Sequence, residues 1–315
     1  MYYPYLRGLQ FELIAIRELA QEANVLNYVC PIIEPVKENL NSLMLARSVL
    51  STTEWHPFLI LNPAVGDLAG RADDLLSFLL DEEVNTVFRP AFIYQDNSEY
   101  LFSLINHNNL EDVMIICLEE FTHDDNLMQL LSCEKVNSIV LLEPNRHRRL
   151  DRDISTLNKT YIRLDDLFIP EKSNSSYLEI DPHKFSEEHL FYEDDGFSGY
   201  SDFTLLPMAF QTGGWTPWAV AIHWSYLDQS NKEIWVRHFT SETNETRSNI
   251  QGKFAEAAGK ISLAFQRGEL SQNDALDELL GYYDSQKYPG LGILKKLSIK
   301  NHVLVNYQYL RSTLL

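Results

Sequence analysis

The sequence predicts an α/β fold: a (β/α)8 TIM-barrel-like arrangement with an irregular C-terminal half and a terminal helix. Short apolar runs rich in β-branched residues alternate with longer amphipathic stretches. These runs are predominantly apolar, as strands buried on both faces of a parallel sheet must be. Six such strand and helix units follow in series, which favours a barrel over an open doubly wound sheet.

The strand runs fall at 29–35, 58–62, 87–94, 113–118, 138–142, 161–164, 203–206 and 218–224, with 233–239 as a ninth. Helical patterns lie between the first six, for example 38–50 and 73–80. The last three runs follow one another too closely for helical crossovers, so an antiparallel element or an irregular barrel closure is expected there. A helix is predicted over 249–265, with Phe254, Ala258, Ile261 and Phe265 as its apolar stripe and Lys253, Glu256 and Lys260 on the other side. Tyr288-Pro289-Gly290-Leu291-Gly292 then breaks the chain before a terminal helix over 293–314. The 315 residues, 45% hydrophobic and 23% charged, read as one barrel-like domain over 1–315, with 270–315 a C-terminal helical extension packed on it.

The net charge of -19 repels polyanions and argues against general nucleic-acid binding; direct contact is expected only locally. The local candidate is Arg146, Arg148, Arg149 and Arg152, where Arg146, Arg149 and Arg152 share roughly one helical face. Interleaved with Asp151 and Asp153, the same residues equally make a solvated face. No basic leader precedes an apolar stretch at the N-terminus, and no window approaches ~18 consecutive apolar residues. A cytoplasmic protein with no membrane partner is therefore expected. Cys30, Cys117 and Cys133 are odd in number and far apart, and read as reduced, structural cysteines.

Polar residues recur where strands end: Glu34, Asn62, Glu119, Glu120, Glu143, Asp165, Asp166 and His223. Arg89 and Arg163 lie within the third and sixth strands. In a barrel the C-terminal strand ends converge on one mouth, where carboxylates and arginines can hold a divalent metal and a phosphate or do acid–base work. Strand ends also meet solvent, which alone accounts for polar residues there. No nucleotide loop, C-x-x-C, H-E-x-x-H or G-x-S-x-G elbow is present, and the nine histidines lack ligand spacing. No metal ligand is assigned and no cofactor can be named. Two glycines before the terminal helix leave its first N–H groups open to an anion, though helix entry after a Pro-Gly turn needs no ligand at all.

Several phrases resemble the bacterial and phage beta-protein family. They are Tyr3-Pro4-Tyr5-Leu6-Arg7-Gly8 with Gln10-Phe11-Glu12-Leu13, Pro31-Ile32-Ile33-Glu34-Pro35-Val36, and Gly199-Tyr200-Ser201-Asp202-Phe203. Later come Lys253-Phe254-x-Glu256-Ala257 and Gly290-Leu291-Gly292-x-x-Lys295-x-Leu297-Ser298-Ile299-x-x-His302. The resemblance spans nearly the whole chain. It implies a barrel-like fold and residence in mobile-element or defence gene neighbourhoods, often beside a nuclease-like protein. It assigns no reaction, and it draws attention to Asp202, Lys253, Glu256, Lys295 and His302 as pocket residues.

Two functional expectations follow. The first is a partner or sensor subunit of an anti-phage or mobile-element defence system, paired with a nuclease-like protein. Its motivation is the acidic surface and aromatics such as Trp215 and Trp218 beside Gly213-Gly214. The alternative is an enzyme or binding protein for a phosphate-bearing small molecule or nucleotide. There, Glu34, Asp202, Glu256 and His223 would be acid–base or metal groups, and Arg89, Arg163, Lys253, Lys295 and His302 ligand or anion contacts.

Overall fold

A computed structural model describes residues 1–81, 87–119, 121–211 and 218–313. Trp215, Gly213, Gly214 and Glu120 lie outside them. The chain divides into two compact units. The first comprises Met1–Leu13, Ala20–Asp166 and Phe191–Phe203; the second comprises Ile14–Leu19, Leu167–Leu190 and Thr204–Leu315.

The first unit is a parallel α/β barrel. Its strands are β1 (Tyr5–Leu6), β2 (Ile32–Ile33), β3 (Phe58–Ile60), β4 (Arg89–Ile93), β5 (Val113–Cys117), β6 (Val136–Leu142) and β7 (Thr160–Asp165). Strand β8 (His183–Ser186) pairs elsewhere, and β9 (Gly199–Asp202) completes the eight. Neighbours pair in parallel in the order β1 to β7, then β9. Helices α1 (Gln10–Leu19), α2 (Asn41–Leu50), α3 (Ala72–Leu79), α4 (Ser98–His107), α5 (Asp125–Leu131) and α6 (Arg148–Ile154) alternate with the strands. The strands are buried because both faces are covered: Ile115, Ile116, Ile139, Val140, Leu141 and Ile162 are all fully inaccessible.

The ring closes at one parallel bridge, Tyr2 to Tyr200. Tyr3 N donates to the Tyr200 carbonyl at 2.8 Å, and Tyr200 N to the Met1 carbonyl at 3.1 Å. Gly199 permits this approach, since a Cβ there would stand 2.5 Å from the Tyr3 ring and 2.7 Å from the Met1 carbonyl oxygen. The strand that follows β7 in the barrel is thus Gly199–Asp202, not the predicted run 203–206. A strand with glycine and serine at the crowded closure carries no apolar run to read. Strand β1, only two residues long, was equally invisible.

The second unit holds a three-stranded antiparallel sheet in the order β10 (Ala221–Leu227), β11 (Ile234–Thr240), β8. The run read as the eighth barrel strand therefore belongs to this sheet, and the antiparallel element expected in the later half is present. Short α7 (Glu188–Phe191) follows β8, and α8 (Ile250–Gln266), α9 (Asp274–Asp284) and α10 (Leu291–Thr313) complete the chain.

Helix α10 is buried almost all round, including Lys296, Lys300, Asn301, His302 and Asn306. A helix so placed must pair its polar groups internally. Lys296 meets Glu18 at 2.7 Å and Glu278 at 2.8 Å. Asn301 donates to the Ser225 carbonyl at 2.8 Å and accepts from Asn273 at 2.8 Å. No helix among the described residues is long and apolar enough to cross a membrane.

Candidate functional site

Strand alternation, more than strand-end position, sorts the predicted residues of the barrel. Tyr161 on β7 donates to Asp151 of α6 at 2.8 Å, so its side chain lies on the helix side. Arg163 and Asp165, two and four residues on, share that face. Arg163 grips Asp165 with two bonds of 2.8 and 3.0 Å and lies 3.9 Å from Asp195. Asp202 pairs in register with Asp165, which puts it on the same outer face. It accepts from the Tyr2 hydroxyl at 2.8 Å.

Glu34 lies on the opposite, inner face, at the C-terminal end of β2. Tyr5 donates to its Oε2 at 2.8 Å, Arg7 Nη1 pairs with the same oxygen, and Ala64 N donates to Oε1 at 2.8 Å. Glu34 is fully buried. Arg7 lies against the rings of Tyr5 and Phe203, at 5.2 and 5.4 Å, and its backbone N–H donates to Glu12 at 2.7 Å. Arg7 and Tyr5 were absent from the predicted site. Their signal was available in the spacing of Tyr3, Tyr5 and Arg7, which places three long side chains on one strand face.

Arg89 starts β4 and so stands at the other end of the barrel from Glu34. Its guanidinium lies 3.7 Å over the Phe58 ring and bonds Asp112 at 3.2 Å, the His56 carbonyl at 3.1 Å and Cys30 Sγ at 2.9 Å. It borders a cleft of about 510 Å³ lined also by Phe88, Pro90 and Leu110. Glu34, Asp202, Arg163 and Arg89 therefore do not converge: one is inside, two are outside and one is at the far end.

The remaining predicted residues belong to the second unit. His223 sits on β10 directly across from His238 on β11, with the two Nδ1 atoms 2.8 Å apart. One ring must donate to the other. Tyr177 packs on both rings, at 4.6 and 4.5 Å. Burial, then the neighbouring His238, pushes His223 down to about 3. Burial, then His183, pushes His238 down to about 4. Both are neutral in the fold but charge near pH 6.5 once unfolded. Their contribution to stability is complete above pH 6.5 and is lost as pH falls towards 4 and 3. Melting temperature measured from pH 7.5 to 4.5 is expected to fall less steeply in the His223→Asn, His238→Asn double variant than in the wild type. An unchanged slope would refute this assignment.

His302 is fully buried, with Nδ1 3.1 Å from Ser225 Oγ and its ring 5.0 Å from Phe185. It lies three turns into α10 and serves the same polar layer as Asn301. Lys295 is half-buried in the second turn of that helix.

Lys253 departs most from its predicted place. The buried face of α8 is wider than the predicted stripe and includes Lys253, Ala257 and Ala264. Lys253 is 0% exposed, and among the described residues its ammonium meets the Thr246 carbonyl and no carboxylate. Glu256 is turned elsewhere, accepting from Thr243 N at 2.8 Å and Thr243 Oγ1 at 2.5 Å. Burial pushes the Glu256 carboxyl up, but these bonds outweigh it and hold the group below its usual value. Glu256 thereby pins the loop that covers Lys253. Lys260 bonds the Thr240 carbonyl at 2.7 Å and Glu242 at 2.5 Å.

The start of α8 lies beside the start of α10. Gln251 donates to the Gln286 carbonyl and accepts from Tyr288 N, both at 2.7 Å, and Phe254 packs 5.8 Å from the Tyr288 ring. These helices have 17 and 23 residues, and neither has an acidic residue in its first turn. In a chain of net charge -19, α9 between them carries Asp274 and Asp277 there. The two helix starts thus meet, with the Lys253 ammonium one turn into α8 and the Asn249 side chain accepting from Gly252 N at its cap. Among the described residues, no group of three or more His, Cys, Asp or Glu is placed to hold a metal ion.

The chain is thus a parallel α/β-barrel protein with an added unit of antiparallel sheet and helices. No family model matches it, and no curated protein matches it. Among solved structures it is similar to tryptophan synthase from M. tuberculosis, in an open form with BRD0059 bound. That likeness has 8% identity and a TM-score of 0.39, covering 64% of this chain and 81% of the other.

Proposed function

We propose that this is a ligand-binding barrel protein whose second unit holds a small phosphate-bearing molecule at the N-termini of α8 and α10. The carrying observation is Lys253, a buried ammonium with no carboxylate partner among the described residues. Burying an unpaired charge costs several kcal/mol, so a fold that keeps one has a use for it. Arg89 and Arg163, the cations considered in the barrel unit, already face Asp112 and Asp165. In binding, Lys253 exchanges the Thr246 carbonyl, which belongs to an exposed loop residue, for a phosphate oxygen.

Titration with inorganic phosphate is expected to raise the melting temperature saturably, while chloride at equal ionic strength does not. Equal effects of the two salts would sink the proposal.

The resemblance adds a biological role: the liganded chain acts as the sensor subunit of a defence system, reporting to a nuclease-like partner. Native mass spectrometry of the protein drawn from its own host should then show a second protein at stoichiometric level. Recovery of this chain alone would remove that role and leave ligand binding standing.

A further inference from the structure

The proposed phosphate site at α8 has a neighbour that phosphate alone does not require. Trp218 is 50% exposed, and the Arg247 guanidinium lies 5.8 Å from its ring centroid. Backbone bonding ties this indole to the loop leading into α8. Ser241 N donates to the Val220 carbonyl at 2.9 Å, and Val220 N donates to Ser241 Oγ at 3.1 Å. Trp218 therefore stands two residues from a strand-end pairing whose other member opens the loop over Lys253. Arg247 lies on that loop, next to Thr246, whose carbonyl Lys253 holds, and two residues before the helix cap Asn249.

An exposed indole beside an arginine offers a flat, electron-rich surface, on which planar heterocycles stack. Placed beside the proposed phosphate site, it matches a molecule with an aromatic base at one end and a phosphate at the other. We infer that the ligand is a nucleotide, its base stacked on Trp218 and its phosphate at the α8 terminus with Lys253. This rests on the phosphate site proposed above and adds the base. Base stacking of this kind is sequence-tolerant and worth a factor of about ten or more in affinity.

The test compares three probes on the intact chain: adenosine 5′-monophosphate, adenosine and inorganic phosphate. Affinities come from calorimetry, and stacking from quenching of tryptophan emission. The nucleotide is expected to bind about tenfold or more tighter than inorganic phosphate and to quench emission, with both effects lost in Trp218→Leu. Trp218→Leu, at a half-exposed position, should still bind inorganic phosphate as the wild type does.

Equal affinity of nucleotide and phosphate, or quenching that survives Trp218→Leu, would overturn the nucleotide assignment while leaving the phosphate site intact. Failure of all three probes to bind would overturn both.

Discussion

Replacing Glu34 by alanine is expected to destabilise the protein by about 3–5 kcal/mol, the cost typical of breaking a buried ion pair from one side. For a unit of this size that is a fall of roughly 10 °C in melting temperature. The change removes the shared acceptor of three donors at once: the Arg7 guanidinium, the Tyr5 hydroxyl and the Ala64 N–H. Arg7 suffers most, since it is 7% exposed and a charge so buried cannot turn to water for compensation. The double variant Glu34→Leu, Arg7→Met should recover much of the loss, because an apolar pair removes the desolvation penalty along with the attraction. Thermal melts of the two single variants and the double form a complete cycle. If Glu34→Ala melts within about 1 °C of the wild type, Glu34 does not hold this end of the barrel.

Lys253→Met is expected to behave in the opposite way. The methionine fills nearly the same volume without a charge, so stability should be unchanged or should rise. Phosphate affinity should fall about tenfold or more, the loss expected for one hydrogen bond from a charged donor. The pair of readouts separates two roles. A lysine kept to fasten the loop through the Thr246 carbonyl would lose stability when replaced, with no specific effect on anions. Stability retained with phosphate binding lost identifies Lys253 as a ligand group. Stability lost with binding retained would overturn the proposed site.

The barrel was legible in the sequence from 29 to 165 because each strand there is a largely apolar run and each crossover is a helix. Ile32–Ile33, Phe58–Ile60, Arg89–Ile93 and Val113–Cys117 all fall within their predicted runs. Legibility stopped at the closure, where Tyr2 stacks on Tyr200, Gly199 admits the Tyr3 ring and the Ser201 hydroxyl donates to the Tyr3 carbonyl.

The candidate site was legible in identity more than in arrangement. Lys253, Glu256 and Lys295 lie on α8 and α10, but the helical pattern set Lys253 and Glu256 together on the side opposite the apolar stripe. Burial of the α8 face by its packing partners put Lys253 inside and sent Glu256 to Thr243. A helical wheel gives the direction of a side chain, while the partner that covers each direction comes from chain far away in sequence. The meeting of two helix starts through Gln251, Gln286 and Tyr288 depends on such a contact.

The single bridge between Tyr2 and Tyr200 also bears on the order in which the protein is built. Hydrogen bonding across the closure joins residues 198 positions apart, as Ser201 Oγ to the Tyr3 carbonyl does. During synthesis the first strand must wait, unpaired on one edge, while seven neighbours and the β8 excursion emerge. An open parallel edge is a template for another chain, and closing so long a loop is slow. The nascent chain is thus most prone to aggregate between completion of β7 and arrival of Gly199, an interval set by ribosome speed more than by final stability.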